Sequence, residues 1–553
     1  MSTTRGLVLN RVLAAFVAAV EDGRLPPFPS EPAVTFEVTR PASADHGDFA
    51  TNVALKFAAK MSRPPRDIAA VVAGAMGGGD DLISKVEVAG PGFVNIWLAP
   101  GYVEQAVDAI RNAGTSYGRS TTDAPKKINV EFVSANPTGP LHVGNARGAF
   151  VGDLLCRVLT AAGHQVTREY YFNDIGGQVE RLGLSVAALK QGRPVADDGY
   201  HGDYVKELAR DVPDDVWQRA QGEPDRAGWI LGEWASEAVR GGIERSLENL
   251  GVHIDVWKGE GSLHADGSVG RAIDKLRASG DIYEQDGAQW FRSTKYGDDK
   301  DRVVIRSNGE PTYFASDIGY VADKFGRGFD ELIYIWGEDH HGTVARLKNA
   351  AEALGLDRDA TNVLLLAWVH FVRDGVQVSM SKRTGEFVTL DELLAEVGVD
   401  AARWYFASRG HTTGIDFDIE LAKKESSENP VYYVQYAHAR ISSILRKAAA
   451  EGIETADSLA GALAGDEVAL GLAKDLLRLP EIVGDAADER ETQSITAYAT
   501  ELATKFHAFY RDRRVVDAAD PVTSGYRLAL VDATRVTLAA ALGLLGISAP
   551  DQM

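Results

Sequence analysis

Apolar residues fall into three kinds of pattern along this chain, and each predicts a different element. The first is alternation. In Lys127–Val133 the apolar Ile128, Val130 and Phe132 alternate with polar neighbours, the period of a strand covered on one face. The second is helical spacing. Leu154, Leu155, Val158 and Leu159 share one side of a helix predicted over Ala149–Ala162, with Gly163 as its stop, and a further strand, Gln165–Phe172, follows. The third is an unbroken run, Leu332–Trp336, as expected of a parallel strand buried on both faces. Strand, helix and strand make a βαβ unit. Parallel sheets built from such units bind ligands beyond the carboxyl ends of their strands. The central fold class is therefore α/β, a Rossmann-like arrangement with a parallel sheet.

The flanks read differently. Residues 1–118 form an N-terminal α+β domain. Its opening helix carries Leu7, Val8, Val12, Phe16 and Val20 and is expected to end at Pro26, Pro27 and Pro29. Strand-like Val34–Val38 and Val86–Val88 follow, the second running into Gly90–Leu98. The polar stretch Thr115–Pro125 is a candidate linker. Residues 119–425 are the catalytic part, with a mainly helical, acidic insertion at about 185–290, after which the second half is expected to restart at Asp301–Arg306. Residues 426–553 predict an all-α bundle whose last helix places Val531, Leu538, Leu542 and Leu545 on one stripe.

Composition narrows the class. A chain of 553 residues, 45% hydrophobic and 25% charged, is of globular type and long enough for two to four domains. No apolar run reaches membrane-spanning length, so no membrane partner is expected. The single cysteine, Cys156, excludes an internal disulfide and a cysteine-cluster zinc site. The N-terminus lacks a signal-peptide pattern, and a cytoplasmic monomer is the expectation. A net charge of −21 argues against indiscriminate nucleic-acid binding but leaves room for a local basic surface.

Candidate chemistry concentrates in the loop Ser134–Arg147, where the first strand feeds its helix. Gly139, Gly144 and Gly148 allow close backbone approach, a helix N-terminus favours phosphate, and His142 adds an imidazole donor. The string His142-Val-Gly144-Asn145 resembles the His-Ile-Gly-His signature of class I aminoacyl-tRNA synthetases. About 240 residues on, Met380-Ser381-Lys382 resembles the second signature of that class, Lys-Met-Ser-Lys-Ser. The chain departs at Asn145, which replaces the second His, and at Ser379 and Arg383, which replace the first Lys and the final Ser. His46–Asn52, Gly92–Asn95, Tyr170–Gln178, Asn429–Lys447 and Leu544–Met553 resemble one subgroup, the arginyl-tRNA synthetases, so the likeness spans essentially the whole chain. Another class I synthetase, or a tRNA-binding paralogue without catalysis, remains an alternative at this level.

The resemblance implies attachment of L-arginine to tRNA(Arg) in two steps: formation of arginyl-adenylate, then transfer to the tRNA 3′ end. ATP would bring Mg²⁺ on its phosphates, and no protein-held metal or zinc is implied. The acidic and imidazole string Asp339-His340-His341 raises a metal reading, but adjacent side chains point apart and no third ligand is evident. By resemblance, His142, Asn145, Lys382 and Arg383 are the catalytic groups. ATP would meet His142, Gly144, Asn145, Gly337, Glu338, Asp339, His341, Met380, Ser381 and Lys382. Arginine would meet Glu131, Ser134, Asn136, His142, Tyr313 and Asp317, whose carboxylates suit a guanidinium fork. The tRNA would meet Phe93 and Asn95 at its outer corner. It would also meet Tyr433, Gln435, Tyr436 and Arg440, with Arg511, Arg513 and Arg514, an aromatic and cationic mixture suited to RNA. Because Ser379 carries no charge, Lys382 is expected to be the principal mobile cation for the departing pyrophosphate. Lys382→Ala should lower adenylate formation by about 10²–10³, the usual loss for one such donor; a variant within about threefold of the parent in a pyrophosphate-exchange assay would remove Lys382 from that role.

Overall fold

The computed structural model describes residues 3–27, 35–120, 122, 124–378 and 388–553. The opening helix, Thr4–Glu21, starts on a Thr3 side-chain cap to the Gly6 N–H. It stops before the prolines expected to end it. Gly23 turns the chain at φ +71°, and the Leu25 N–H closes on the Ala19 carbonyl. Strands β1 (Val38–Thr39), β2 (Phe49–Thr51), β3 (Ile83–Ala89) and β4 (Phe93–Leu98) form an antiparallel sheet in the order β1-β2-β4-β3. Of the expected strand Val34–Val38, only Val38 is in strand pairing; Val34 lies outside the described residues.

The centre is a five-stranded, all-parallel sheet. It comprises β5 (Lys127–Glu131), β6 (Gln165–Phe172) and β7 (Val256–Gly259), and two strands from the second half of the domain. Between them in sequence, β8 (Ile282–Gln285), β9 (Ala288–Phe291) and β10 (Arg302–Ile305) form a separate antiparallel sheet. The sheet is completed by β11 (Glu331–Gly337) and β12 (Thr361–Leu366), giving the order β12-β11-β5-β6-β7. A small sheet of β13 (Val369–Arg373), β14 (Val376–Gln377) and β15 (Ile415–Asp418) follows. Two expectations change. Asp301–Arg306 does not restart the nucleotide fold, because β10 pairs with β9 in the side sheet. The stretch 185–290 is not a purely helical insertion either. Helices fill it up to Asn249, but β7 then pairs with β6 as an edge of the central sheet, a strand too short and too polar to announce itself.

The helix after β5 runs Ala146–Ala161 behind a short 3₁₀ turn, Val143–Asn145, so it begins inside the glycine-rich loop, earlier than predicted. It lies close on the sheet because Gly152 has no side chain. A Cβ there would stand 2.3 Å from the Phe132 ring. The C-terminal helices are Pro430–Ala450, Glu467–Leu476, Leu479–Glu489, Ser494–Asp512 and Pro521–Leu545. The predicted stripe Val531, Leu538, Leu542 and Leu545 is buried. Pro521–Leu545 is long and apolar enough by composition to cross a membrane, against the sequence expectation, yet 72% of its most apolar window is buried within the protein.

Arg403 joins the catalytic part to this bundle. Its buried guanidinium donates to the carbonyls of Leu250 (2.8 Å from Nη2) and Leu545 (3.1 Å from Nη1), and pairs with Asp153 at 2.8 Å. Arg157 also holds Asp153, so the carbonyls are what Arg403 alone satisfies. Arg403→Met should therefore destabilise by about 2–4 kcal/mol, the cost of stranded buried acceptors plus lost packing. A Tm within a degree of the parent by calorimetry would show that the carbonyls find other donors.

Candidate active site

The sheet order reverses between β5 and β11, and a cavity of about 860 Å³ opens there, beyond their carboxyl ends. Its wall includes Ser134, Asn136, His142, Gly144, Asn145, Gly337, Glu338 and Asp339. The cavity is also lined by His340, whereas the expected His341 begins the next helix.

The first signature folds as a reciprocal cap. His142 Nδ1 accepts the Gly144 N–H at 3.0 Å, and Asn145 Oδ1 accepts the His142 N–H at 3.1 Å. Burial pushes the imidazole pKa down, so the ring is held neutral. With Nδ1 occupied as an acceptor, a neutral ring carries its proton on Nε2. Asn145 therefore has a definite task, holding the turn that carries His142. Gly144 is required for a local reason: a Cβ there would sit 2.7 Å from the His142 ring.

The loop entering this turn is strained and clamped. Val133 and Ser134 both take positive φ, +68° and +43°, which a β-branched residue rarely does. Tyr170, fully buried on β6, holds Ala135 from both sides: its hydroxyl accepts the Ala135 N–H at 3.0 Å and donates to the Ala135 carbonyl at 2.8 Å. Asn136 donates to Gln178, and Tyr204 reaches in to the Thr138 carbonyl. Arg147, one turn on, is buried and spends its guanidinium on the carbonyls of Ala367, Gly410 and Thr413.

Met380, Ser381, Lys382 and Arg383 lie outside the described residues, but both ends of their segment are fixed at the cavity. Val378 lines it. On the other side the Val143 N–H donates to the Val388 carbonyl at 3.1 Å, and the Leu390 N–H to the Leu141 carbonyl at 2.9 Å. Backbone pairing thus joins the first signature to the stretch that follows the second, across more than 240 residues of sequence.

A second group of side chains lies beside the loop, under β5 and β6. The stretch Pro311–Tyr320, read as strand-like, forms the helix Tyr313–Gly326, capped by Thr312. Helical spacing puts Tyr313, Asp317, Tyr320 and Lys324 on one side. Tyr313 is on the rim, 65% exposed. Asp317 is ringed by protein but keeps part of its surface open, and no cation or hydrogen-bond donor among the described residues pairs with it. Desolvation, then Glu260 and Glu131, push its pKa up to about 7. Glu131 is not an open carboxylate as expected. Its Oε2 is 2.6 Å from the Lys324 ammonium, and its Oε1 accepts the Ser134 hydroxyl at 3.1 Å. Glu260 escaped the sequence reading because it follows β7, in the stretch taken for insertion. It is buried, accepts the Ser316 hydroxyl at 2.7 Å and is hydrogen-bonded to Tyr171.

The expected RNA-contacting residues divide. Phe93 is exposed and available, while Asn95, two residues on along the same face of β4, is buried. Tyr436 is exposed and lies near His507, with the Arg440 guanidinium between the Tyr436 and Tyr510 rings. Tyr433 is half-buried, its hydroxyl bonded to Thr504. Gln435 is not available. It is buried and donates to Asp400 and Ser548, pinning the C-terminal tail to the catalytic part.

A parallel sheet with the His142-Val-Gly144-Asn145 turn at its reversal point defines the catalytic domain of a class I aminoacyl-tRNA synthetase. Comparison with known proteins makes this specific. Residues 106–198 and 236–410 match the family model described as tRNA synthetases class I (R), catalytic domain. Residues 9–98 match the arginyl tRNA synthetase N terminal domain, and 434–553 the DALR anticodon binding domain. An arginine–tRNA ligase of Bacillus licheniformis is 44% identical, and one of a Geobacter species 46%, each over 94% of this chain and 95% of the relative. In shape, the Thermus thermophilus arginyl-tRNA synthetase superposes with a TM-score of 0.77 at 24% identity, covering 98% of this chain and 99% of that one. The chain belongs to the arginyl-tRNA synthetase family.

Gly144→Ala should displace the His142 ring and lower the rate of adenylate formation by about tenfold or more, since misplacing a reacting group by about 1 Å can cost about 10². Stability should hardly change, as the turn is exposed at this point. Full activity in the folded variant would show that the ring position is immaterial.

Proposed function

We propose that this enzyme activates L-arginine with ATP in the cavity between β5 and β11 and transfers it to tRNA(Arg), with Asp317 as the group that selects arginine. The observation that carries the assignment is the half-buried Asp317 carboxylate, without a partner cation among the described residues and close enough to Glu260 and Glu131 to feel their charge. Desolvated negative charge without a counter-ion destabilises the protein alone. A planar cation with several N–H donors relieves it, and arginine is the amino acid that brings one.

ATP enters with its Mg²⁺, its adenosine against the Gly337 backbone and its phosphates toward His142 and the helix N-terminus. Arginine's own carboxylate attacks the α-phosphate, so no enzyme nucleophile is needed; positioning and charge stabilisation do the work. Neutral His142 donates from Nε2 to the phosphate in this reading, Asn145 holds the turn, and Lys382, with Arg383 nearby, meets the departing pyrophosphate. Ser134 and Asn136 receive the amino-acid end of arginine, Glu260 and Tyr313 flank the guanidinium, and the adenylate then passes to the tRNA 3′ end. Phe93, Tyr436 and Arg440 supply RNA contacts by stacking and charge. The reading extends to a cytoplasmic monomer, since one chain carries N-terminal, catalytic and helical domains together.

The pH dependence tests the assignment. Asp317 must be ionised to pair with a guanidinium, and its pKa of about 7 means that acid empties the competent state. Arginine KM should rise about tenfold between pH 8 and pH 6, in inverse proportion to the ionised fraction, while ATP KM stays nearly flat. Asp317→Asn should weaken arginine use by more than about tenfold and flatten the profile. The same variant should be more stable than the parent. A carboxyl whose pKa is raised on folding favours the native state only when protonated, so the gain from Asn should grow from about pH 4 to pH 7 and then level off. Unchanged arginine kinetics in the folded variant would remove Asp317 from the site.

A further inference from the structure

One charged side chain in this region has no part in the reaction as described. Lys324 lies on the Asp317 helix with its side chain 0% exposed. Its ammonium contacts Glu131 Oε2 at 2.6 Å and stands 4.3 Å and 3.9 Å from the ring centroids of Tyr320 and Tyr334. We propose that Lys324 is a specificity-determining positioning residue, an internal counter-ion that claims Glu131 and so reserves the guanidinium for Asp317 and Glu260. The proposal rests on the assignment of Asp317 to the arginine site.

Two features carry it. The first is a chain of contacts from the hidden ammonium to the cavity wall. Lys324 holds Glu131, Glu131 accepts the Ser134 hydroxyl, and the Ser134 oxygen accepts the Tyr171 N–H at 3.2 Å. Ser134 sits at positive φ, so its placement depends on such partners. The second is the charge around Asp317. Glu131 faces it from β5, Glu260 from the helix Glu260–Ala265, and Tyr171 from β6; Tyr313, Tyr320 and Lys324 share its own helix. His264 stands 3.8 Å from Glu260. Three carboxylates converge, and Lys324 is the ammonium bonded to one of them. Without it, Glu131 would be a further uncompensated anion competing for the substrate cation and opposing ionisation of Asp317.

The measurement is arginine KM against pH, from pH 6 to 9, in the presence of tRNA, with ATP KM as the control. In Lys324→Met the midpoint should move up by about one unit, raising arginine KM about threefold at pH 7.5, with ATP KM unmoved. In Glu131→Gln/Lys324→Met the midpoint should return toward the parent, because Gln keeps an acceptor for Ser134 and both charges are gone. Should Lys324→Met fail to fold, Glu131→Gln alone decides: an unopposed ammonium should move the midpoint down. A Lys324→Met profile that coincides with the parent, a double variant no better than the single, or a Glu131→Gln midpoint that stays in place each overturns the proposal. Asp317→Asn separates the two levels. If it retains the parent profile the arginine-site assignment fails; if it flattens the profile while Lys324→Met changes nothing, only the counter-ion role fails.

Discussion

The parallel pairing of β5 with β11 is the contact on which the rest of the active site depends. It sets Ile128–Glu131 beside Glu331–Tyr334, joining segments some 200 residues apart, and it is where the strand order reverses. Loops leaving two strands at such a point diverge, and the gap between them is the cavity. On one side the gap receives the His142 turn and on the other Gly337 to His340. Both faces of the paired stretch are covered: Ile128, Val130, Leu332, Ile333 and Tyr334 are buried, as are the polar Asn129, Glu131 and Glu331, and a pair tied to its surroundings in this way has little freedom to slip. A site that must place phosphate donors within tenths of an ångström gains from walls of this kind.

Electrostatics beneath the cavity follows a graded scheme. Glu169 is buried, and burial alone would raise its pKa, but Lys324, Arg327 and Tyr320 outweigh that and hold it at about 2. Glu131 is paired with Lys324. Asp317 is left uncompensated among the described residues. Compensated carboxylates stabilise the layer under the pocket, whereas the uncompensated one costs stability until a cation arrives. Unrelieved negative charge of this kind lowers the stability of the protein alone.

The anticodon-type bundle is bound to the catalytic part by polar pins rather than by apolar packing alone. Arg403 gathers the carbonyl ends of two helices, and Asp400 of the catalytic part receives both Gln435 and the Ser548 N–H, while His438 and Ser442 fasten the rest of the tail along the helix Pro430–Ala450. Hydrogen bonds at helix ends are directional, so they fix orientation as well as distance. The bundle, which matches the DALR anticodon binding domain over residues 434–553, is thereby held in one orientation to the catalytic part.

The sequence by itself determined the elements whose signal is local. The strand Gln165–Phe172, the apolar run of β11, the stripe of the last helix and both signatures are short-range patterns, and a period or a motif is complete within a dozen residues. Tertiary structure alone decided what depends on partners distant in sequence. The edge strand β7 is defined by pairing with β6, and β10 left the central sheet because β9 took its hydrogen bonds. Asp317 and Glu260 became neighbours only through folding, Glu131 was claimed by a lysine 193 residues away, and Gln435 turned from a presumed RNA contact into an internal tie. Periodicity records which face of an element is apolar; it does not record which charge will stand opposite another, because that is set by the packing of whole elements.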